Sequence, residues 1–164
     1  SLLAAPLAPV GARFSQTAMQ ALGQAIRQQY DYCLIDAPAG LGMGFHLASD
    51  YADRAVVVTN TDASSLRDAQ RTVMELERFP NGKVHLVVNR VRKKLLHSMH
   101  ATIDDAMDKA GLPLIGVVPE DDALPVSLNQ GTPLLLRSYN GAASAYRNIA
   151  IRLQGGKAPL LRIR

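Results

Sequence analysis

Tryptophan is absent from this chain, aromatic residues make up only 5%, and cysteine occurs once, as Cys33. A lone thiol excludes a disulfide framework within the chain and any Cys-x-x-Cys metal or redox motif, and points to a reducing cytoplasm. Its place in an apolar run just before Asp36 predicts a small buried hydrophobe and not a nucleophile. With so few rings, Leu, Val, Ile and Ala must fill the core. No apolar run is long enough to span a bilayer. The start, Ser1-Leu2-Leu3-Ala4-Ala5-Pro6, has neither the basic residues nor the apolar length of a signal peptide. There is no internal repeat and no low-complexity segment. One further absence carries the most weight: no Gly-x-x-x-x-Gly-Lys-Ser/Thr phosphate loop occurs in the 164 residues.

What is present suits one globular domain, with 48% apolar residues in a chain able to bury a core. The net charge of +4 reads as a solvated surface with spare Lys and Arg, and no nucleic-acid partner is expected. The denser cluster Arg90-Val91-Arg92-Lys93-Lys94 is able to attract phosphate or an acidic partner, although a solvated loop is the simpler reading.

Apolar runs alternate with helical periodicity. Strands are expected at Leu2 to Ala5, Tyr32 to Asp36, Arg54 to Thr59, Val84 to Val88 and Leu114 to Val118. A helix capped by Ser15 or Thr17 carries Met19, Leu22 and Ile26 on one face. A short helix runs from Phe45 to Tyr51. Another starts at Ser64 or Ser65, with Leu66, Ala69, Val73 and Leu76 as its stripe. Thr102 and Asp105 signal a helix ended by Gly111 and Pro113. A short helix spans Asp122 to Asn129, and a last one places Ala142, Ala145, Tyr146, Ile149 and Leu153 at helical spacing. This alternation predicts an α/β fold, a doubly wound and mostly parallel sheet, in a single domain over 1–154 with 155–164 as a tail or linker.

The candidate site lies where polar residues end apolar strands. In a doubly wound sheet such carboxyl ends line one edge and bind ligands. Asp36 ends one strand and is able to hold Mg2+ through water, because that ion dehydrates reluctantly. Gly40 offers a backbone N–H with no side chain in the way of a phosphate. Asn89 ends another strand with an amide that both donates and accepts, as reading an adenine edge requires. Pro119, Glu120 and Asp121 end a third. An Asp at a strand end is often just a turn former, and an Asn before basic residues is often a turn. Three such endings in order are more specific than any one.

These residues resemble the MinD/ParA family, the deviant Walker ATPases, over nearly the whole chain. Leu34-Ile35-Asp36-Ala37-Pro38-Ala39-Gly40 resembles the family's Walker B and switch II segment. Ala52 to Asn60 with Ser64 to Ala69 resembles the next strand and its interface helix. Val87-Val88-Asn89-Arg90-Val91 resembles the adenine-recognition strand. Leu112 to Asp121 is the run most like the MinD branch, and Asn129 to Pro133 and Ala145 to Ala150 continue the likeness. The resemblance implies a P-loop NTPase-like fold of the SIMIBI type and an ATP-dependent dimerisation switch in bacterial division-site placement. It implies ATP or ADP and Mg2+ as cofactors, Asp36 as catalytic and Mg2+-organising residue, and Gly40 at the γ-phosphate. Asn89, Arg90, Pro119, Glu120 and Asp121 are implied around adenine, and Asp68 at a dimer or partner surface. Implied partners are a second copy of the chain as homodimer or swapped assembly, a division inhibitor, a topological-specificity factor, and a membrane surface reached through a C-terminal helix. The implied location is cytoplasmic and peripherally membrane-associated.

The family's N-terminal strand and phosphate loop, with both its lysines, have no counterpart here, so the chain reads as the C-terminal portion of such an ATPase. Many members place an acidic residue where Gly42 falls. Without the loop most phosphate donors are lost, and a charged hydrogen bond is worth ~1.5–3 kcal/mol. The isolated chain is therefore expected to bind ATP very weakly and not to hydrolyse it. The missing strand is also expected to leave unpaired edges and so to favour self-association. Two other readings stand beside this one: a ParA partitioning or flagellar-number ATPase of the same superfamily, and a non-enzymatic interaction module. A tyrosine-kinase relative would want a tyrosine cluster at the tail, and the iron-carrier branch paired cysteines; neither is present. Leu160-Leu161-Arg162-Ile163-Arg164 mixes apolar and basic residues as an interfacial helix does, but five residues fit a frayed terminus as well.

Overall fold

A computed structural model describes residues 2–4, 16–92 and 103–161. The chain divides into two compact units, Ser1–Ala52 and Asp53–Arg164.

The first unit holds helix α1, Gln16–Gln29, and helix α2, Met43–Asp50. Thr17 lies inside α1 and is not its cap, while Ser15 falls outside the described residues. The expected stripe is only partly covered: Met19 and Ile26 are half-buried and Leu22 is exposed. α1 lies against Tyr51 at Gly23, where a Cβ would stand 3.6 Å from a ring carbon, an ordinary contact distance. Arg27 Nη2 donates to the Tyr51 carbonyl at 3.4 Å. At Gly44 a Cβ would lie 2.7 Å from Pro38 Cγ, so glycine allows the first turn of α2 to seat against that proline.

Two expected strands in this unit do not form. Leu2, Leu3 and Ala4 have no regular structure and are exposed, and Ala5 lies outside the described residues. Tyr32 to Asp36 belongs to no strand, with Leu34 94% exposed. Cys33, expected to be buried, is exposed with it. The reason is physical. A strand is stabilised by a neighbour's backbone groups, and this apolar run has no ladder partner among the described residues.

The second unit is built on a parallel three-stranded sheet of order β1-β2-β3: β1 Ala55–Thr59, β2 Val84–Val91 and β3 Leu114–Pro119. Parallel neighbours need crossovers, and helices supply them. Helix α3, Ala63–Glu75, joins β1 to β2, and α4, Ile103–Ala110, precedes β3. Asp62 caps α3, accepting from the Ser65 N–H at 2.9 Å and from both the Ser64 and Ser65 hydroxyls. The start is thus set one residue earlier than the serines suggest. These three donors, Ser64 first, hold the Asp62 carboxyl well below the usual carboxylate range. Leu66, Ala69 and Leu76 are buried and Val73 half-buried, as the stripe requires. Thr102 lies outside the described residues, and α4 ends at Gly111 in a left-handed conformation, φ 64°.

Helix α5, Ala123–Asn129, a 3-10 turn at Leu134–Leu136, and helix α6, Gly141–Leu153, complete the unit. α6 packs on β3. Buried Val87, Ile115, Val118, Leu134, Ala142 and Ala145 form the core between them. The contact is close at Gly116, where any Cβ would fall within the Ile149 side chain. Small residues on both partners are what permit it. The tail after α6 returns along the helix: Arg152 Nε donates to the Ala158 carbonyl at 2.8 Å and Asn148 Nδ2 to Pro159 at 3.0 Å. Val56 and Val58 on β1 remain exposed, at 39% and 60%. Among the described residues no helix is long and apolar enough to cross a membrane.

Candidate functional site at the ends of the parallel strands

The carboxyl ends of β2 and β3 come together through an irregularity that sequence periodicity does not signal. Val88 pairs with Val117 and Val91 with Pro119. Two residues of β2, Asn89 and Arg90, therefore stand opposite the single residue Val118. This is a β-bulge, a device that bends a strand and re-aims its side chains. β2 thus runs on to Val91, and Asn89 lies in the bulge and does not end the strand as expected. Arg90 sits at φ 52°, the only described non-glycine residue at positive φ. That conformation costs about 1–2 kcal/mol for an L-residue, so neighbouring contacts must hold it.

Glu120 provides them. Its carboxylate accepts from Arg90 Nε at 3.0 Å and Arg90 Nη2 at 3.2 Å, and from Arg92 Nη2 at 3.2 Å. The fork of Arg90 meets both carboxylate oxygens, the geometry that fixes direction as well as distance. The Glu120 N–H donates to the Val91 carbonyl at 3.1 Å, tying the two strand ends through the backbone too. The Arg90 hydrogen bonds, with a smaller share from Arg92, hold the Glu120 carboxyl below its ordinary range against the opposing effect of burial. The basic cluster, read chiefly as a solvated loop, is thus partly ion-paired internally, and Lys93 and Lys94 lie outside the described residues.

Asp121 has partners that its sequence motif does not show. Its Oδ1 accepts from the Ala123 N–H at 3.0 Å and its Oδ2 from the Ala142 N–H at 3.0 Å. Both oxygens are occupied at the starts of α5 and α6. Gly141, at φ 57°, makes room for this, since a Cβ there would lie 2.5 Å from Oδ2. The same carboxylate and, above all, burial push the Tyr146 phenol upward. Gly116 and Gly141 are positioning residues that sequence reading missed. The Asn-Gly pair at 140–141, placed directly before an apolar helical stripe, was the one available signal.

Asn89, Arg90, Pro119, Glu120 and Asp121 are thus gathered at one end of the sheet. Asn89 is half-buried and Pro119 closes β3. Glu120 is set between Arg90 and Arg92. Each Asp121 oxygen already accepts one backbone N–H. In the other unit, Asp36 is exposed in its unpaired segment, and Gly40 is at φ 85°, a conformation that suits only glycine. No group of three or more His, Cys, Asp or Glu able to hold a metal occurs among the described residues. The described residues therefore form no ready ligand set for Mg2+; Asp36 alone fits only an ion held mainly by water and phosphate. Asp68 lies on the exposed face of α3, 3.8 Å from Arg71, a pair too exposed to contribute much.

The family model of the cellulose biosynthesis protein BcsQ matches residues 10–152. The septum site-determining protein MinD of Synechocystis is 37% identical over 145 residues, 87% of this chain and 54% of that protein. The MinC:MinD cell division complex of Aquifex aeolicus superposes with TM-score 0.79 at 31% identity, over 88% of this chain and 62% of that one. MinD of Pyrococcus horikoshii, solved with Mg-ADP, superposes with TM-score 0.69 at 25% identity, over 82% and 55%. The chain spans about half the length of the curated relatives it matches. The parallel sheet and its helices are accordingly a partial P-loop NTPase fold. The chain belongs to the MinD/ParA family, within which the BcsQ model also falls.

Proposed function

We propose that the chain is the adenine-recognising portion of a MinD-type ATPase, an ATP-dependent dimerisation switch in division-site placement. The observation that carries this is the Asn89–Arg90 bulge locked to Glu120 beside Pro119, a preorganised polar end on an otherwise apolar parallel sheet. Asn89 reads the base through its amide, and Arg90 and Glu120 hold the bulge that aims it. By the family's motif, Asp36 organises Mg2+ through water and Gly40 meets the γ-phosphate. ATP with Mg2+ supplies the phosphoryl group whose loss resets such a switch. The Mg-ADP bound by the Pyrococcus relative supports this cofactor assignment.

The partners of this reading are a second copy of the chain, a division inhibitor and a topological-specificity factor, with Asp68 on the protein-facing surface. The complex of the Aquifex relative with MinC supports the inhibitor. The location is cytoplasmic, with peripheral attachment to the membrane through a C-terminal helix. The match to the BcsQ model favours a second reading, a switch of the same type serving cellulose synthesis.

The test is nucleotide contact without turnover. In saturation-transfer NMR, ATP and AMP show adenine-proton contacts that Asn89→Ala abolishes, whereas GTP shows none. Phosphate release from Mg-ATP stays at the blank. Equal contacts from GTP, or adenine contacts untouched by the Asn89 substitution, overturn the assignment of the base site. Turnover by the purified chain overturns the account of the phosphate side.

A further inference from the structure

The turn between α5 and α6 presents apolar side chains outward on a backbone that is firmly held. Leu134 anchors it in the core at 6% exposure, whereas Leu136 is 77% and Tyr139 80% exposed. Arg147, from α6, braces it from below. Its Nη2 donates to the Leu135 carbonyl at 2.6 Å and to the Ser138 carbonyl at 3.0 Å. Its guanidinium lies 4.5 Å from the centroid of the Tyr139 ring. The Arg137 and Ser138 N–H groups return to the Leu134 carbonyl, and the Asn140 N–H bonds to Ser138 Oγ. Leu136 and Tyr139 are therefore fixed knobs and not loose loop residues.

Charge adds a second observation. From Ala123 to Arg164 the sequence contains no Asp or Glu, but it contains Arg137, Arg147, Arg152, Lys157, Arg162 and Arg164. Of the two carboxylates that precede this stretch, Asp121 has both oxygens bonded to backbone N–H groups and Asp122 is exposed. The turn itself carries Arg137, with Arg147 beneath it, and no acid, and such a local positive charge selects the opposite sign in a partner.

We propose that the turn Leu134–Asn140 is a docking surface for an acidic protein segment bearing an apolar side chain, with Leu136 and Tyr139 as anchors and Arg137 as the cation. The rigidity favours a protein over a lipid surface. Immobilised anchors lower the ordering cost only when the partner has a shape to match, and rigid tyrosines serve this purpose in binding sites. A bilayer gains nothing from a locked turn. This inference does not depend on nucleotide binding.

The experiment offers the chain to arrays of short peptides in three classes: acidic with Leu or Phe, acidic without apolar residues, and basic with Leu or Phe. Retention is expected on the first class alone and weakens with salt. Leu136→Ser and Tyr139→Ser each lower it about tenfold at unchanged melting temperature, because both side chains are solvent-facing. Arg137→Glu lowers it too, as a variant that removes no apolar contact. Arg147→Lys keeps the charge but loses the brace, and is expected to weaken retention. Absence of retention, equal retention on basic peptides, or indifference to the Leu136 and Tyr139 substitutions overturns the proposal. Binding that occurs instead to phosphatidylcholine–phosphatidylglycerol vesicles, or self-association in light scattering that Leu136→Ser and Tyr139→Ser abolish, overturns it in favour of that occupant.

Discussion

Asp121 is the residue whose chemistry departs furthest from its sequence motif. In a Pro-Glu-Asp run both acids invite assignment to a ligand, yet Glu120 is paired with arginines and Asp121 caps two helices. Each cap is worth about 1 kcal/mol. Asp121→Ala is therefore expected to cost about 1–3 kcal/mol in urea unfolding, with Asp121→Asn closer to the native value. A loss of nucleotide contact at native stability would instead return Asp121 to the ligand. His85, half-buried in β2, makes a second prediction. Burial, then Arg54 and Lys83, lower its imidazole pKa. The folded state thus binds the proton less readily than the unfolded one. Its contribution to stability is complete above the unfolded value of about 6.5 and is lost as pH falls through the lower folded value. Melting temperatures of the native chain should drop between neutral and mildly acidic pH, and His85→Gln should flatten that part of the curve. Parallel curves for the two would rule out His85 as the source.

At the scale of elements, the strongest constraint is the seat of α6 on β3. Gly116 exists because Ile149 occupies the place of its Cβ. Overpacking of this kind costs about 1–3 kcal/mol, so Gly116→Ala should lower the denaturation midpoint accordingly. Ile149→Ala removes the atoms in the way, so the double variant should be more stable than the sum of the single changes allows. Strict additivity would show that the clash is relieved elsewhere. Helices were readable in the sequence because each carries its own apolar period, as Leu66, Ala69, Val73 and Leu76 do on α3. The bulge was not, because a two-against-one register is a relation between strands. Nothing in Val87-Val88-Asn89-Arg90-Val91 alone says that Val118 will face two residues. The strand expected at Tyr32 to Asp36 fails for the same reason: composition supplies a tendency to extend, but only a neighbour supplies hydrogen bonds.

For the molecule as a whole, apolar surface is left uncovered in both units: Leu34 at 94% exposure in one, Val56 and Val58 at 39% and 60% in the other. β1 is an edge strand among the described residues, with an unpaired row of backbone groups. Self-association rising with concentration is the expected outcome in light scattering, and replacing Val58 by Lys on the exposed face should reduce it. A clean monomer at high concentration would count against this. The sequence by itself determined the helices, the three strands of the parallel sheet and the family, because periodicity and short motifs are local. Only the tertiary structure decided which partners Glu120 and Asp121 take, that Arg90 is held at positive φ, and that the Asp36 segment has no ladder partner among the described residues. Those outcomes depend on which groups from distant parts of the chain satisfy one another's hydrogen bonds, and no local pattern contains that information.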